Sequence, residues 1–165
     1  MNKQDAMNFL TNNQPLPNDD ELTEEVISKF DGIRKFFLAN KDVDCIPLFL
    51  NSFGDGSGFG VYQLIENVII QFHKNEVLPH LIQALDSPHR GVRSWCAEIA
   101  SSFPDPILIH PLKKLLLEED MDIRIMACLS LGAIGGDQVT EILENALKSE
   151  KNVDVIEVFE DVLAR

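Results

Sequence analysis

The residues with the most obvious chemical potential lie in one glycine-rich segment, Gly54 to Gly60. Its sequence, GDGSGFG, has G-x-G spacing, but no Lys-Ser/Thr pair follows as a phosphate-binding loop requires. Ser57 has its glycines one residue away instead of two, so it does not match a nucleophile elbow. Asp55 has no companion oxygen ligands at calcium-loop spacing. We therefore predict a flexible turn, in which glycines permit positive φ and close approach to the backbone of a partner.

Histidine and carboxylate patterns do not predict a metal or acid–base site. The four histidines show no HExxH or paired spacing, and no CxxC pair accompanies them. Carboxylates are numerous, but none occupies a position where burial would selectively raise its pKa. We expect no catalytic residue, no metal and no cofactor, and hence a protein that is not an enzyme.

Negative charge is the strongest compositional feature. The chain carries 14 basic and 27 acidic residues, a formal net charge of −13, and the excess is spread along its whole length. Such a surface repels a phosphate backbone, because nucleic-acid binders need a basic footprint. It favours a basic protein partner, although acidity that serves only solubility is an equal alternative.

Cysteine usage and apolar runs indicate the compartment. Met1 begins no apolar leader, and stretches such as Val68-Ile69-Ile70 are far too short to span a membrane. Cys45, Cys96 and Cys128 form no CxxC pair and fall inside helical patterns, so we interpret them as reduced core thiols. The prediction is a cytoplasmic protein with no membrane contact.

A repeat of 31 residues organises the chain. Apolar residues recur at i, i+4 and i+7 within each half of a unit, which is the stripe of an amphipathic helix. Turn-rich segments separate the halves, so each unit is predicted to be helix, turn, helix. Strand-like alternation is absent, and the chain is expected to be all-α. The aligned positions include Ile46, Val77, Leu108 and Val139; Leu50, Leu81, Leu112 and Leu143; Val61, Val92 and Ile123; and Ile69, Ala100, Leu131 and Val162.

A helix before the array is expected to cap its first repeat. A helix from Glu21 to about Asn40 is predicted, with Thr23 or Asp20 as its N-cap, after a linker that contains two prolines. Four helix pairs that share one core predict a single domain overall. Its segments are residues 1–41, an N-terminal segment with the capping helix, and 42–165, a repeat array divided into 42–75, 76–106, 107–137 and 138–165.

Short motifs in the second helices carry a family resemblance. Gly91 to Ala97 and Asp122 to Cys128 resemble the (D/G)-V-R-x-x-A start of the second helix in HEAT-like repeats, and Leu131 to Gly135 resembles their L-G-x-I-G end. The period is similar to the short, bilin-lyase-type variety. The resemblance covers residues 42–137 well and 138–165 partly, since Asp154 replaces the expected aliphatic residue. It implies a right-handed α-solenoid, a HEAT/armadillo-like superhelix.

The resemblance also indicates where a partner would bind, because second helices line the concave face of such arrays. Tyr62, Arg93 and Arg124 could form a column there, with an ion-pair ladder of the arginines as the alternative. Trp95 is predicted to pack between repeats, since its equivalents are apolar. The candidate partner-binding residues are Asp55, Ser57, Phe59, Tyr62, Gln63, Glu66, Asn67, His89, Arg90, Arg93, Ser94, Glu98 and Arg124.

Fold and charge together favour a protein–protein interaction module, an acidic inhibitor of the kind represented by bacterial HEAT-repeat immunity proteins. It would neutralise a basic toxin or another basic protein, with electrostatic steering to speed capture. The alternative is a chaperone or lyase-like protein acting on a chromophore or an assembly subunit. A repeat-type DNA glycosylase is disfavoured by the even acidity.

Overall fold

The computed structural model describes residues 1–165, and all of its regular elements are helices, as the periodicity predicts. The α-helices are α1 (Lys3–Asn12), α2 (Glu24–Ala39), α3 (Cys45–Leu50), α4 (Glu66–Ile69), α5 (Lys74–Leu85), α6 (Arg90–Ala100), α7 (Ile109–Leu115), α8 (Met121–Ile134), α9 (Asp137–Leu147) and α10 (Val153–Leu163). Short 3-10 segments cover Gly58–Gly60, Tyr62–Leu64 and Pro106–Leu108.

The chain divides into two compact units, Met1–Trp95 and Cys96–Arg165. The division falls within α6. The predicted repeat boundaries are not tested by this division and stay predictions.

The first unit is built on a cluster of aromatic rings. Tyr62 meets Phe30, Phe53 and Trp95 edge to face, and Phe53 stacks on Trp95 with centroids 5.8 Å apart. Aromatic rings bury large apolar areas and favour such geometry. The capping helix α2 supplies Phe30 to this cluster, and Thr23 is its N-cap, accepting a hydrogen bond from the Val26 amide.

The proline-containing segment before α2 is part of the first unit's core. Leu16 is 1% exposed, and its amide donates to the Ser52 carbonyl at 2.9 Å. The sequence predicts a linker there, because two prolines lie among polar residues. The apolar residue between them, Leu16, is buried and helps to anchor the segment.

The second half of the first repeat departs from a continuous helix. The chain forms a 3-10 turn at Tyr62–Leu64 and then the four-residue α4. β-Branched residues are dense here, and they favour helix less than straight-chain residues do. Ile65, Val68 and Ile69 are nevertheless buried at helical spacing, so the predicted apolar face is kept.

In the second unit α8 contacts both α7 and α10. Leu112, Leu131 and Leu143, which the repeat places in the core, are at most 1% exposed. Truncating a buried leucine to alanine costs about 2–5 kcal/mol, so these positions specify the packing.

The last helix is shifted by one residue from the predicted repeat. Asp120 caps α8 and Asn152 caps α10, each accepting two backbone amides, and 152 − 120 is 32 instead of 31. The shift explains why Asp154 falls on an expected apolar position. Val155 is the buried residue, and Asp154 is exposed.

Candidate functional site

The glycine-rich segment 54–60, termed the Phe59 loop, is fixed by the carboxylate of Asp19. The Ser57 amide donates to Asp19 Oδ2 at 2.8 Å, and the Gly58 amide donates to Oδ1 at 2.9 Å. The Asp19 amide in turn donates to the Asp55 carbonyl at 2.9 Å. A charged acceptor distant in sequence thus binds successive amides of the loop, and it restrains a turn that the glycines alone would leave flexible.

Two aromatic side chains form hydrogen bonds with the backbone of the Phe59 loop. The Gly54 amide donates to the Tyr62 hydroxyl at 3.2 Å, and Trp95 Nε1 donates to the Gly56 carbonyl at 3.0 Å. Burial raises the pKa of Tyr62 to about 12; the charges of Asp19 and Asp55 act in the same direction, and the Gly54 amide opposes them. The phenol is neutral at physiological pH and acts as a hydrogen-bonding support.

Phe59 at the centre of the loop has an unusual backbone conformation. Its φ is 51° and its ψ 33°, in the left-handed region, and its side chain is 58% exposed. A non-glycine residue pays about 1–2 kcal/mol for that conformation. Gly58 and Gly60 on either side also have positive φ. The loop thus presents an aromatic ring to solvent from a rigid, strained backbone, which is typical of functional sites.

Replacing Asp19 with asparagine is expected to loosen the Phe59 loop by about 1–2 kcal/mol, because charge-assisted bonds to two amides are lost. The measurement is native-state hydrogen exchange of the Ser57 and Gly58 amides. The matched control is Asp20→Asn, which removes the neighbouring exposed carboxylate. Equal protection of both amides in the two variants would contradict the assigned role of Asp19.

The residues predicted around this loop differ in their solvent exposure. Ser57, Phe59, Gln63 and Asn67 are exposed, and Asp55 and Glu66 are partly exposed. The amide nitrogen of Gln63 lies beside Gly60.

Tyr62 does not belong to a contact surface. It is 1% exposed, so the prediction of an exposed concave residue is wrong. Its ring packs in the aromatic core, and its hydroxyl accepts a hydrogen bond from the Gly54 amide of the loop. Trp95 packs against core aromatics, as expected of an apolar repeat position.

Some of the candidates in α6 and in the turn before it have structural roles, and others are exposed. Arg93 donates to the Ser87 carbonyl at 2.9 Å and so ties the preceding turn to the helix. His89 and Glu98 are exposed, and Arg90 and Ser94 are partly exposed.

Arg124 has a structural role in the second unit. It binds Glu150 through Nε at 2.8 Å and Nη2 at 3.1 Å, and its Nη1 donates to the carbonyls of Glu118 and Glu119. Its side chain is 13% exposed. The ion-pair alternative is the observed one, and Arg124 is not presented to a partner.

Sequence reasoning missed the two carboxylates that organise these sites. Asp19 lies 38 residues before Ser57, and Glu150 lies 26 residues after Arg124. Neither is part of a local motif, and Asp19 precedes a helix whose cap is Thr23. A tertiary contact of this separation leaves no signal in one sequence.

The three thiols are buried, and no cluster of metal-ligating side chains is present. Cys45, Cys96 and Cys128 are buried, as predicted, and form no disulfide; burial raises the pKa of Cys45 and Cys128 to about 12. No group of three His, Cys, Asp or Glu side chains is placed to hold a metal ion. None of the helices combines the length and apolar character needed to cross a bilayer.

Comparison with known proteins supports the repeat assignment. No curated protein matches the chain. Residues 78–164, more than half of the chain, match the family model for HEAT repeats, and the Phe59 loop lies outside this segment. Repeats of this kind suggest a protein-interaction scaffold. With its helix pairs and its matched segment, the chain belongs to the HEAT-repeat family.

Proposed function

We propose that this protein is a non-enzymatic binding module that recognises a basic protein through the Phe59 loop. The observation that carries the proposal is the exposed Phe59 ring on a left-handed backbone. Within the free chain the ring is largely exposed while its backbone is strained, so a contact with a partner accounts for both features.

The surroundings of Phe59 have the chemistry of an interface centre. Aromatic residues are enriched among binding hot spots. They contribute more to the binding free energy when the backbone is already ordered, because less conformational entropy is lost on binding. The polar side chains of Ser57, within the loop, and Gln63, beside it, supply a hydrogen-bonding rim. The loop therefore offers an apolar anchor with a polar surround.

The charge of the chain favours a basic partner. The net charge is −13; Asp20 and Glu21 follow Asp19 directly in the sequence, and Asp55 lies within the Phe59 loop. Such a surface attracts a basic protein and speeds the encounter, as an inhibitor of the immunity type requires. We place this activity in the cytoplasm, where cysteines that form no disulfide persist in the reduced state.

Replacement of Phe59 by glycine is expected to separate binding from stability. Release of the left-handed strain offsets the backbone entropy of glycine, so the free energy of unfolding changes by less than about 1 kcal/mol. Loss of the hot spot weakens partner binding by about 30-fold or more. The measurement is affinity capture from cells that make the protein, with quantitative mass spectrometry and a salt gradient, beside denaturant unfolding.

The matched control is Val43→Ser, which removes another apolar side chain of the first unit that is 44% exposed. The proposal predicts a basic protein that binds the wild type and the control, elutes with salt and is lost from Phe59→Gly. Equal capture by Phe59→Gly, or an acidic captured partner, contradicts it.

A further inference from the structure

The second unit contains an apolar groove that the Phe59 loop does not use. The groove has a volume of about 570 Å³ and runs between α7 and α9. Ile109 and Leu116 line one wall, and Ile142 and Ala146 line the other. Leu117 at its edge is 85% exposed, the most exposed of the chain's large apolar side chains. Leucine exposed to this extent beside an apolar groove indicates a surface that is covered in a complex.

The length of the groove suits a short helix. Its lining residues extend from Gln138 to Ser149, along the whole of the eleven-residue α9. At about 1.5 Å per residue this is a length of about 16 Å, or three helical turns. An amphipathic helix placed in such a groove presents apolar anchors at i, i+3 or i+4, and i+7.

The two rims of the groove differ in charge. His110 and Lys113 line the α7 side, and Glu141 lines the α9 side with the polar residues Gln138 and Asn145. All five are exposed. A bound helix is therefore complementary when one flank of its apolar stripe is acidic and the other is basic.

We propose that the groove between α7 and α9 docks an amphipathic helix of a protein partner, with acidic residues along the α7 rim and basic residues along the α9 rim. Leu117 closes over the apolar stripe of that helix. This site is independent of the Phe59 loop and does not rest on the function proposed for it.

The test uses three labelled 15-residue helical peptides with the same leucine stripe. One has an acidic flank and a basic flank, the second has two basic flanks, and the third has two acidic flanks. Affinities are measured by fluorescence anisotropy against the full-length wild type, Lys113→Glu and Glu141→Lys. Since both substituted residues are exposed, folding is preserved, and circular dichroism verifies it.

The mixed peptide is expected to bind the wild type most tightly and to lose about threefold to tenfold in affinity for either variant. The peptide with two basic flanks should bind Lys113→Glu more tightly than it binds the wild type. The peptide with two acidic flanks should bind Glu141→Lys more tightly than it binds the wild type. Leu117→Ser should weaken the mixed peptide about tenfold. Val153→Ser, which alters an apolar residue that is 66% exposed and does not line the groove, should not change its affinity.

Three results would overturn the proposal. The first is no measurable binding of the mixed peptide. The second is binding that ignores both charge substitutions and Leu117→Ser, which indicates general stickiness. The third is a wild-type dimer in sedimentation analysis that Leu117→Ser dissociates, which makes a second copy of the chain the occupant.

Discussion

Replacement of Gly91 by alanine is expected to lower the free energy of unfolding by about 3 kcal/mol, because a methyl group there would overlap backbone atoms. The added Cβ would overlap the Gly54 carbonyl and lie 2.9 Å from the Phe53 carbonyl oxygen. Backbone atoms cannot rotate away as the end of a flexible side chain can. Helix α6 approaches the start of the Phe59 loop this closely only because residue 91 has no side chain.

The loop cannot move away from α6 to accommodate the added methyl group. A Cβ on Gly54 would lie 2.5 and 2.6 Å from the carbonyl oxygens of Pro17 and Leu16, so the loop is itself packed against the buried segment before α2. The backbones of α6, of the loop and of the segment before α2 are in contact. A methyl group added at Gly91 therefore requires all three to shift. For this reason the cost exceeds that of an average core substitution.

The measurement is urea unfolding of Gly91→Ala beside a control substitution, Gly32→Ala. Gly32 lies inside α2, where an added Cβ makes an ordinary contact at 3.6 Å. Alanine favours helix over glycine by about 0.8–1 kcal/mol, so the control is expected to be more stable than the wild type. A Gly91→Ala variant as stable as the wild type would contradict the close packing.

Replacement of Glu150 by glutamine is expected to cost about 3 kcal/mol at neutral pH, because it leaves the largely buried Arg124 without its counter-charge. The Glu150 side chain is 10% exposed. It also accepts the amides of Lys151 and Asn152 at 2.9 Å each, and so fixes the turn before α10. One carboxylate therefore holds the start of α8 and the turn between α9 and α10.

The ion pair between Glu150 and Arg124 should also affect how the free energy of unfolding depends on pH. Burial raises the pKa of Glu150, but hydrogen bonds from Arg124 and from the two amides outweigh it, and the pKa lies below its ordinary value of 4.5. The stabilisation is fully present above that ordinary value and is lost as pH falls through the lowered one. Glu150→Gln should therefore flatten the acid side of the stability profile.

The matched control for this prediction is Glu157→Gln, an exposed carboxylate on α10. Thermal unfolding from pH 7 to pH 3 should show the profile of the wild type for the control and a lower, flatter one for Glu150→Gln. Coincident profiles for the two variants would show that Glu150 has no special role.

The repeat architecture could be predicted because its signal is local. Residues such as Leu81, Leu112 and Leu143 recur at a fixed period, and burial of one stripe per helix is enough to identify helix pairs. The Thr23 cap could be predicted for the same reason, since an N-cap contacts amides within the next three residues.

The Phe59 loop could be placed but its rigidity could not be predicted. Seven residues with four glycines are compatible with many conformations, and the one observed is selected by Asp19, 38 residues earlier. Tyr62 has an equally ambiguous signal, because a phenol fits an exposed interface or a buried site that supplies a hydrogen-bond donor. Such choices depend on tertiary contacts.

The most direct test of binding through the Phe59 loop is site-specific photo-crosslinking in cells that make the protein. A photoreactive phenylalanine analogue replaces Phe59 in one variant and Val43 in the other. The account predicts a discrete covalent adduct with a basic protein from position 59, absent from position 43 and suppressed when an extract is irradiated at high salt. Absence of an adduct at position 59, or equal adducts from both positions, would contradict it.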